Sequence, residues 1–202
     1  MPPLPPVTKA LMLVCTAIFC VQLLLPLAYM EGLFGLWSVD SGRFWPWQPI
    51  TYAFLHSTDG PMHLAFNMFG LWMFGGELEN LWGRKRYLHL LLASVLTAAA
   101  TQIVVMLLGF GGSYTVGASG ALFGLLLSFG MLFPNRIIVP LIPPIPMKAR
   151  TFVAIFGGLE LVLGFVNRGN VAHFAHLGGM LGAWLMISYW RGRLPFGGKR
   201  RR

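Results

Sequence analysis

Charge is what this 202-residue sequence has least of: only 10% of its residues are Asp, Glu, Lys or Arg, and just six of those are acidic. Soluble domains run at about 25% charged, so with 56% hydrophobic residues the chain is excluded from that class and reads as polytopic in a membrane. Cysteine is nearly absent as well. Cys15 and Cys20 lie five apart on different faces of one apolar stretch, which suits neither a disulfide nor a metal site. No internal repeat is apparent and no paired carboxylates occur at mid-depth, which argues against a small transporter. The first apolar run is too long for a signal-peptide core and lacks a small-x-small cleavage site, so it is expected to remain as a span.

What the sequence does have is six apolar segments, at about 10–30, 62–81, 87–110, 117–134, 150–167 and 171–190. At a rise of 1.5 Å per residue each can cross about 30 Å of hydrocarbon. The long connection 31–61 carries Phe34, Trp37, Phe44, Trp45, Trp47, Tyr52 and Phe54, residues that suit a membrane–water interface. Pro46, Pro49 and Gly60 interrupt it, predicting an interfacial loop with short helical pieces. Pro134 closes the fourth span, and Pro140, Pro143, Pro144 and Pro146 keep the next connection extended.

The net charge of +9 would suggest nucleic acid in a soluble protein, but its distribution points to orientation in a bilayer instead. Thirteen of the fifteen Lys and Arg fall in the N-terminus, the second and fourth loops and the tail; only Arg43 and Arg168 fall on the other side. By the positive-inside rule both termini are cytoplasmic. The expected fold is therefore an all-α polytopic membrane protein with six transmembrane helices. Residues 1–9 form a cytoplasmic N-terminus, 10–190 a membrane-embedded domain and 191–202 a basic cytoplasmic tail that acts as a retention anchor.

With this topology, spans two, four and six all run from outside to inside, and each opens with polar or small residues. Span two opens with His63 and Asn67, four apart and so on one helix face. Span four opens with Gly117-Ala118-Ser119-Gly120, and span six with His173-Phe174-Ala175-His176-Leu177-Gly178-Gly179. Each motif has a bland alternative: Ser119 as helix-packing glue, Asn67 as an interhelical hydrogen bond, a histidine as a satisfied structural residue. His56 is expected in the loop or at the interface. Glu160, mid-span in the fifth segment, shows no obvious partner and is expected to make a packing hydrogen bond in its neutral form. The weight comes from three motifs meeting at one depth.

Serine needs a neighbouring base to become a nucleophile, and neutral imidazole suits that task near pH 7. No Asp or Glu lies in the outer half of spans two, four or six, so a Ser–His dyad is expected rather than a triad. The imidazole would be oriented by packing or by a hydrogen bond from elsewhere. The backbone N–H of Ser119 and the side chains of His63 and Asn67 could stabilise an oxyanion. Gly120 and Gly124 on span four, and Gly178 and Gly182 on span six, are small-xxx-small pairs suited to close helix packing. On a helical wheel His176 lies roughly 70° from the small-residue face of span six and His173 roughly 130°, which favours His176 as the base without identifying the helix that uses that face.

These motifs resemble the rhomboid family of intramembrane serine proteases. The resemblance runs from about Trp47 to Trp190: Trp47-Gln48 and His56, then His63-x-x-x-Asn67, Gly75-Gly76-Glu77-Leu78-Glu79 with Gly83-Arg84, Gly117-Ala118-Ser119-Gly120 and Ala175-His176-Leu177-Gly178-Gly179. It implies a minimal six-span form of prokaryotic plasma-membrane type, with Ser119 as nucleophile, His176 as general base, and His63 and Asn67 as oxyanion partners. Gly117, Phe123 and His173 would line the site, His173 at the water entrance or outer rim. The implied partners are single-span membrane protein substrates, entering between spans two and five, and membrane lipids. No cofactor, metal, nucleic acid or obligatory protein partner is expected. Gln48 stands where many members have Arg, and Phe123 where some have Tyr stacked on the catalytic histidine. The rival readings are a catalytically inactive rhomboid-like binding factor and, behind it, a small transporter.

Overall fold

The computed structural model describes residues 3–25, 27–110, 112–140, 143–166 and 172–193. Most of the basic tail, and Arg168 of the fifth loop, lie outside the described residues. The chain is an integral membrane protein and mostly helical: α1 (Pro6–Leu24), α2 (Leu27–Phe34), α3 (Gln48–Thr51), α4 (Met62–Gly70), α5 (Gly76–Leu107), α6 (Ser119–Leu132), α7 (Ala149–Val166) and α8 (His173–Trp190). Pro6–Leu24, Met62–Leu107 and Ala149–Val166 are long and apolar enough to cross a membrane, and Ser119–Leu132 is a shorter apolar helix. On α7, Leu159, Leu161, Val162, Phe165 and Val166 remain exposed, a surface that suits contact with lipid.

Helix α1 begins with Pro6, whose missing N–H costs nothing in a first turn. The next two amides are capped from a distance. The buried Glu79 accepts from Val7 N–H at 2.9 Å and from Thr8 N–H at 2.7 Å, and Thr8 Oγ1 donates to it at 2.9 Å. A carboxylate there meets both the orphan amides and the positive end of the helix dipole.

A π-helical turn, Leu71–Gly75, joins α4 to α5, and the non-helical Gly83 (φ 74°, ψ 163°) breaks α5. A Cβ on Gly75 would lie 2.5 Å from the Tyr87 hydroxyl. Twelve residues of unbroken helix would separate those positions by about 18 Å, so the chain reverses at Gly83 and the expected second and third segments lie side by side.

The first span ends earlier than the expected 10–30, at Leu24, and α2 begins within that range at Leu27; the rest of the connection 31–61 contains the expected short helical pieces, α3 and a 3-10 turn at Tyr52–Phe54. Strand β1 (Leu36–Trp37) pairs antiparallel with β2 (Tyr114–Thr115), tying this connection to the segment just before α6. Gln48 is fully buried and anchors the loop: its Nε2 donates to the Arg43 carbonyl at 3.0 Å and its Oε1 accepts from Trp37 N–H at 3.3 Å. The proline-rich connection after α6 is bracketed by β3 (Ile137–Ile138) paired antiparallel with β4 (Met147–Lys148).

Helices α5, α6 and α8 pack through small residues. A Cβ on Gly178 would meet Thr101 Oγ1 at 2.5 Å and the Thr97 carbonyl oxygen at 2.8 Å, so this edge of α8 lies against α5. A Cβ on Gly179 would run into the backbone of Gly120, and one on Gly124 would come within 3.0 Å of the Gly179 carbonyl oxygen. The small-residue face of α8 is thus shared between two neighbours, α5 and α6.

Candidate active site

Ser119 opens α6, and the backbone just before it is shaped for that purpose. Gly117 has φ 127°, a conformation that disfavours any side chain, and its N–H donates to the Tyr52 carbonyl at 2.9 Å. Tyr52 is itself fixed, its hydroxyl donating to the Val95 carbonyl on α5 at 3.0 Å. As the first residue of a helix, Ser119 has an N–H with no intrahelical acceptor.

His176 reaches Ser119 from the first turn of α8, with Nε2 2.7 Å from Oγ. Phe123, one turn after Ser119, stacks on the imidazole at a centroid distance of 4.3 Å and an interplanar angle of 5°. The ring lost only a hydroxyl by being Phe, and the stacking geometry is intact.

His63 faces the same small space. The Ser57 N–H donates to its Nδ1 at 3.1 Å, so its proton is carried on Nε2. A Cβ on Gly117 would lie 2.9 Å from that Nε2 and 3.6 Å from Ser119 Oγ. Gly117 therefore has to be glycine for two reasons, its φ and the closeness of His63. Asn67 is buried on the same helix, and its Nδ2 donates back to the His63 carbonyl at 2.8 Å. Its Oδ1 has no hydrogen-bond partner among the described residues, and no hydrogen bond links Asn67 to Ser119.

Two expectations need correction, both on the far side of His176. Glu160 does have partners: its Oε2 lies 2.8 Å from His176 Nδ1 and 2.7 Å from His173 Nδ1. His173 is not at an exposed rim but only 6% accessible, held beside His176 by this shared carboxylate. The sequence shows Glu160 in the fifth segment but not that it faces the two histidines of the sixth. Depth could have placed them near one another. Glu160 lies six residues before the end of α7 and His176 three after the start of α8, about 9 Å and 4.5 Å from the two facing helix ends.

One ligand atom from each of Glu160, His173 and His176 falls within 4.8 Å of the others, a grouping able to hold a metal ion. As they stand, hydrogen bonds join all three.

His56 lies in the loop before α4, fully buried, and packs edge-on against His63 with ring centroids 5.3 Å apart. Gln22 of α1 clamps its backbone with two hydrogen bonds of 3.0 Å, one from the His56 N–H and one to its carbonyl. Burial first, and the neighbouring His63 second, push the His56 imidazole down to about 4. It is therefore a neutral supporting ring behind His63.

The family model "Rhomboid domain" matches residues 43–193. Rhomboid protease GlpG of Yersinia pestis (strain Pestoides F) is 28% identical over 189 residues, covering 92% of this chain and 62% of the relative. Rhomboid protease GluP of Bacillus subtilis (strain 168) is 31% identical over 144 residues, covering 68% of this chain and 25% of the relative. The chain thus spans 62% of the GlpG relative and 25% of the GluP relative, less than two thirds of each. The matched region contains His63, Asn67, Ser119 and His176 and takes in most of the chain: the chain belongs to the rhomboid family.

Proposed function

We propose that this protein is an intramembrane serine endopeptidase that hydrolyses peptide bonds of single-span membrane proteins near the outer edge of the bilayer. The observation that carries the reading is the 2.7 Å contact between Ser119 Oγ and His176 Nε2, made between helices α6 and α8. In this reading the chain crosses the membrane six times with both termini cytoplasmic, as the charge distribution favours, in a prokaryotic plasma membrane.

The chemistry follows from the groups at the site. Ser119 Oγ attacks the scissile carbonyl carbon while its proton passes to His176 Nε2. The oxygen of that carbonyl becomes an oxyanion facing the Ser119 N–H and the Nε2–H of His63. The second proton on Asn67 Nδ2, not used toward the His63 carbonyl, offers a third donor. One such donor in a dry site is worth about 3–4 kcal/mol of barrier. Collapse of the tetrahedral intermediate breaks the C–N bond, His176 returns its proton to the leaving amine, and water then hydrolyses the acyl-enzyme by the same route in reverse. The names of the GlpG and GluP relatives, both called proteases, support the same reaction class.

The test is co-expression with a panel of tagged single-span proteins, together with labelling by a fluorophosphonate probe. The parent should give fragments and a labelled serine; Ser119→Ala, folded to the same extent, should give neither. Equal cleavage by Ser119→Ala would refute the serine mechanism.

A further inference from the structure

We propose that Glu160 is a positioning residue for His176, so that Ser119, His176 and Glu160 act as a hydrogen-bonded triad; this rests on the serine-protease reading above. The observations are geometric. Glu160 sits on α7, a helix whose outer half is otherwise apolar, and its side chain is only 12% exposed. One of its oxygens, Oε2, meets two imidazole nitrogens at once, Nδ1 of His176 at 2.8 Å and Nδ1 of His173 at 2.7 Å.

An ionised carboxylate oxygen can accept from both rings at once, and in this proposal each Nδ1 is the donor. With both Nδ1 atoms as donors, each ring in its neutral form keeps a bare Nε2. For His176 that bare nitrogen is the one 2.7 Å from Ser119 Oγ. The opposite tautomer would offer Ser119 an N–H and leave it without a base.

Stacking alone cannot make this choice. Phe123 holds the imidazole plane at 5° to its own, but a ring flipped by half a turn within that plane would stack as well. The bond to Glu160 distinguishes the two edges, because it needs Nδ1 where a flip would put a carbon. When Nε2 takes the Ser119 proton, the resulting imidazolium has its second N–H already aimed at a carboxylate, in a site where such a pairing counts for more than in water. The proton stays on His176; Glu160 orients and stabilises, and is not itself protonated. His173 holds the same carboxylate from its other side, which fits its burial better than a place at the water entrance.

The alternative is that Glu160 only ties α7 to α8. Glu160→Gln separates the two, since an amide oxygen in the place of Oε2 can accept from both rings and keep the tie, while the charge that would stabilise the imidazolium is lost. For the purified full chain in detergent, kcat on a single-span substrate should fall by at least about 100-fold. KM should stay within about threefold, and fluorophosphonate labelling of Ser119 should slow in parallel. Glu160→Asp keeps the charge but draws it back by one methylene, and should fold and fall between the two. A Glu160→Gln protein with undiminished kcat, or one whose whole loss is in KM and melting temperature, overturns the proposal. If Glu160→Gln does not fold, an undiminished kcat in Glu160→Asp overturns it equally. Ser119→Ala is run beside them. Cleavage by Ser119→Ala refutes the serine-protease reading and this proposal with it, whereas a dead Ser119→Ala beside a fully active Glu160→Gln refutes this proposal alone.

Discussion

Replacing Gly179 by alanine adds one methyl group at the tightest point between α6 and α8. That methyl would lie 2.6 Å from the carbonyl carbon of Gly120 and 3.1 Å from its Cα, with the carbonyl oxygen nearer still. Carbon–carbon contacts are comfortable at about 3.5–4.0 Å. The obstructing atoms are backbone and cannot rotate away, so the two helices must part by about 1 Å. Gly120 follows Ser119 directly, and Gly179 is one turn below His176. A separation of that size stretches the 2.7 Å contact between Ser119 Oγ and His176 Nε2 beyond hydrogen-bond range. Gly179→Ala should therefore cost about 1–3 kcal/mol of stability, seen as a melting temperature lower by roughly 3–10 °C. Its kcat should fall of order 100-fold, the usual effect of misplacing a catalytic pair by such a distance. The assay is cleavage of a single-span substrate in detergent, corrected for folded fraction by circular dichroism. Gly158→Ala on α7 is the control, because an added Cβ there meets nothing within 4 Å. Full activity and an unshifted melt in Gly179→Ala would show that the helices are not in this contact. A destabilised but fully active variant would show that the seam does not set the Ser–His distance.

His63→Ala or Asn67→Ala should each lower kcat of order 100-fold with the fold intact, since each removes one oxyanion donor; undiminished cleavage by the double variant would remove both from the mechanism. Glu79→Ala leaves the Val7 and Thr8 amides without acceptors and should cost at least about 2 kcal/mol by thermal unfolding, while activity per folded molecule is kept; an unchanged melt would refute the capping role. His56 has its imidazole pushed down from 6.5 to about 4, so between those pH values the unfolded chain binds a proton that the folded chain refuses. Stability should fall as pH drops through that window, by at most about 3 kcal/mol, and level off below it. In His56→Phe, which leaves the backbone clamp to Gln22 in place, that acid slope should flatten; an unaltered slope would put the proton elsewhere.

How much of this was legible without coordinates depended on which degree of freedom mattered. Hydropathy and helix rise give depth along a span, and depth was enough to bring His63, Ser119 and His176 to one level. Phe123 came from the family resemblance rather than from depth, and it stacks on His176. What depth leaves open is rotation about the helix axis and the choice of neighbour. The wheel gave the Gly179 face of span six without its partner, and the structure divides that face, with Gly178 toward α5 and Gly179 toward α6. Gly120 and Ser119 are consecutive and about 100° apart on a helix, so Gly120 can form the seam while the hydroxyl beside it reaches a histidine that is likewise off the seam. The partners of Glu160 were not legible for the same reason in sharper form. Its position on α7 gives its depth, but only the facing of α7 toward α8 reveals that two Nδ1 atoms converge on one of its oxygens. A buried acid in an apolar helix is a costly residue to keep at that depth. The two imidazoles explain how it is accommodated, and the bare Nε2 they leave beside Ser119 explains what it accomplishes there.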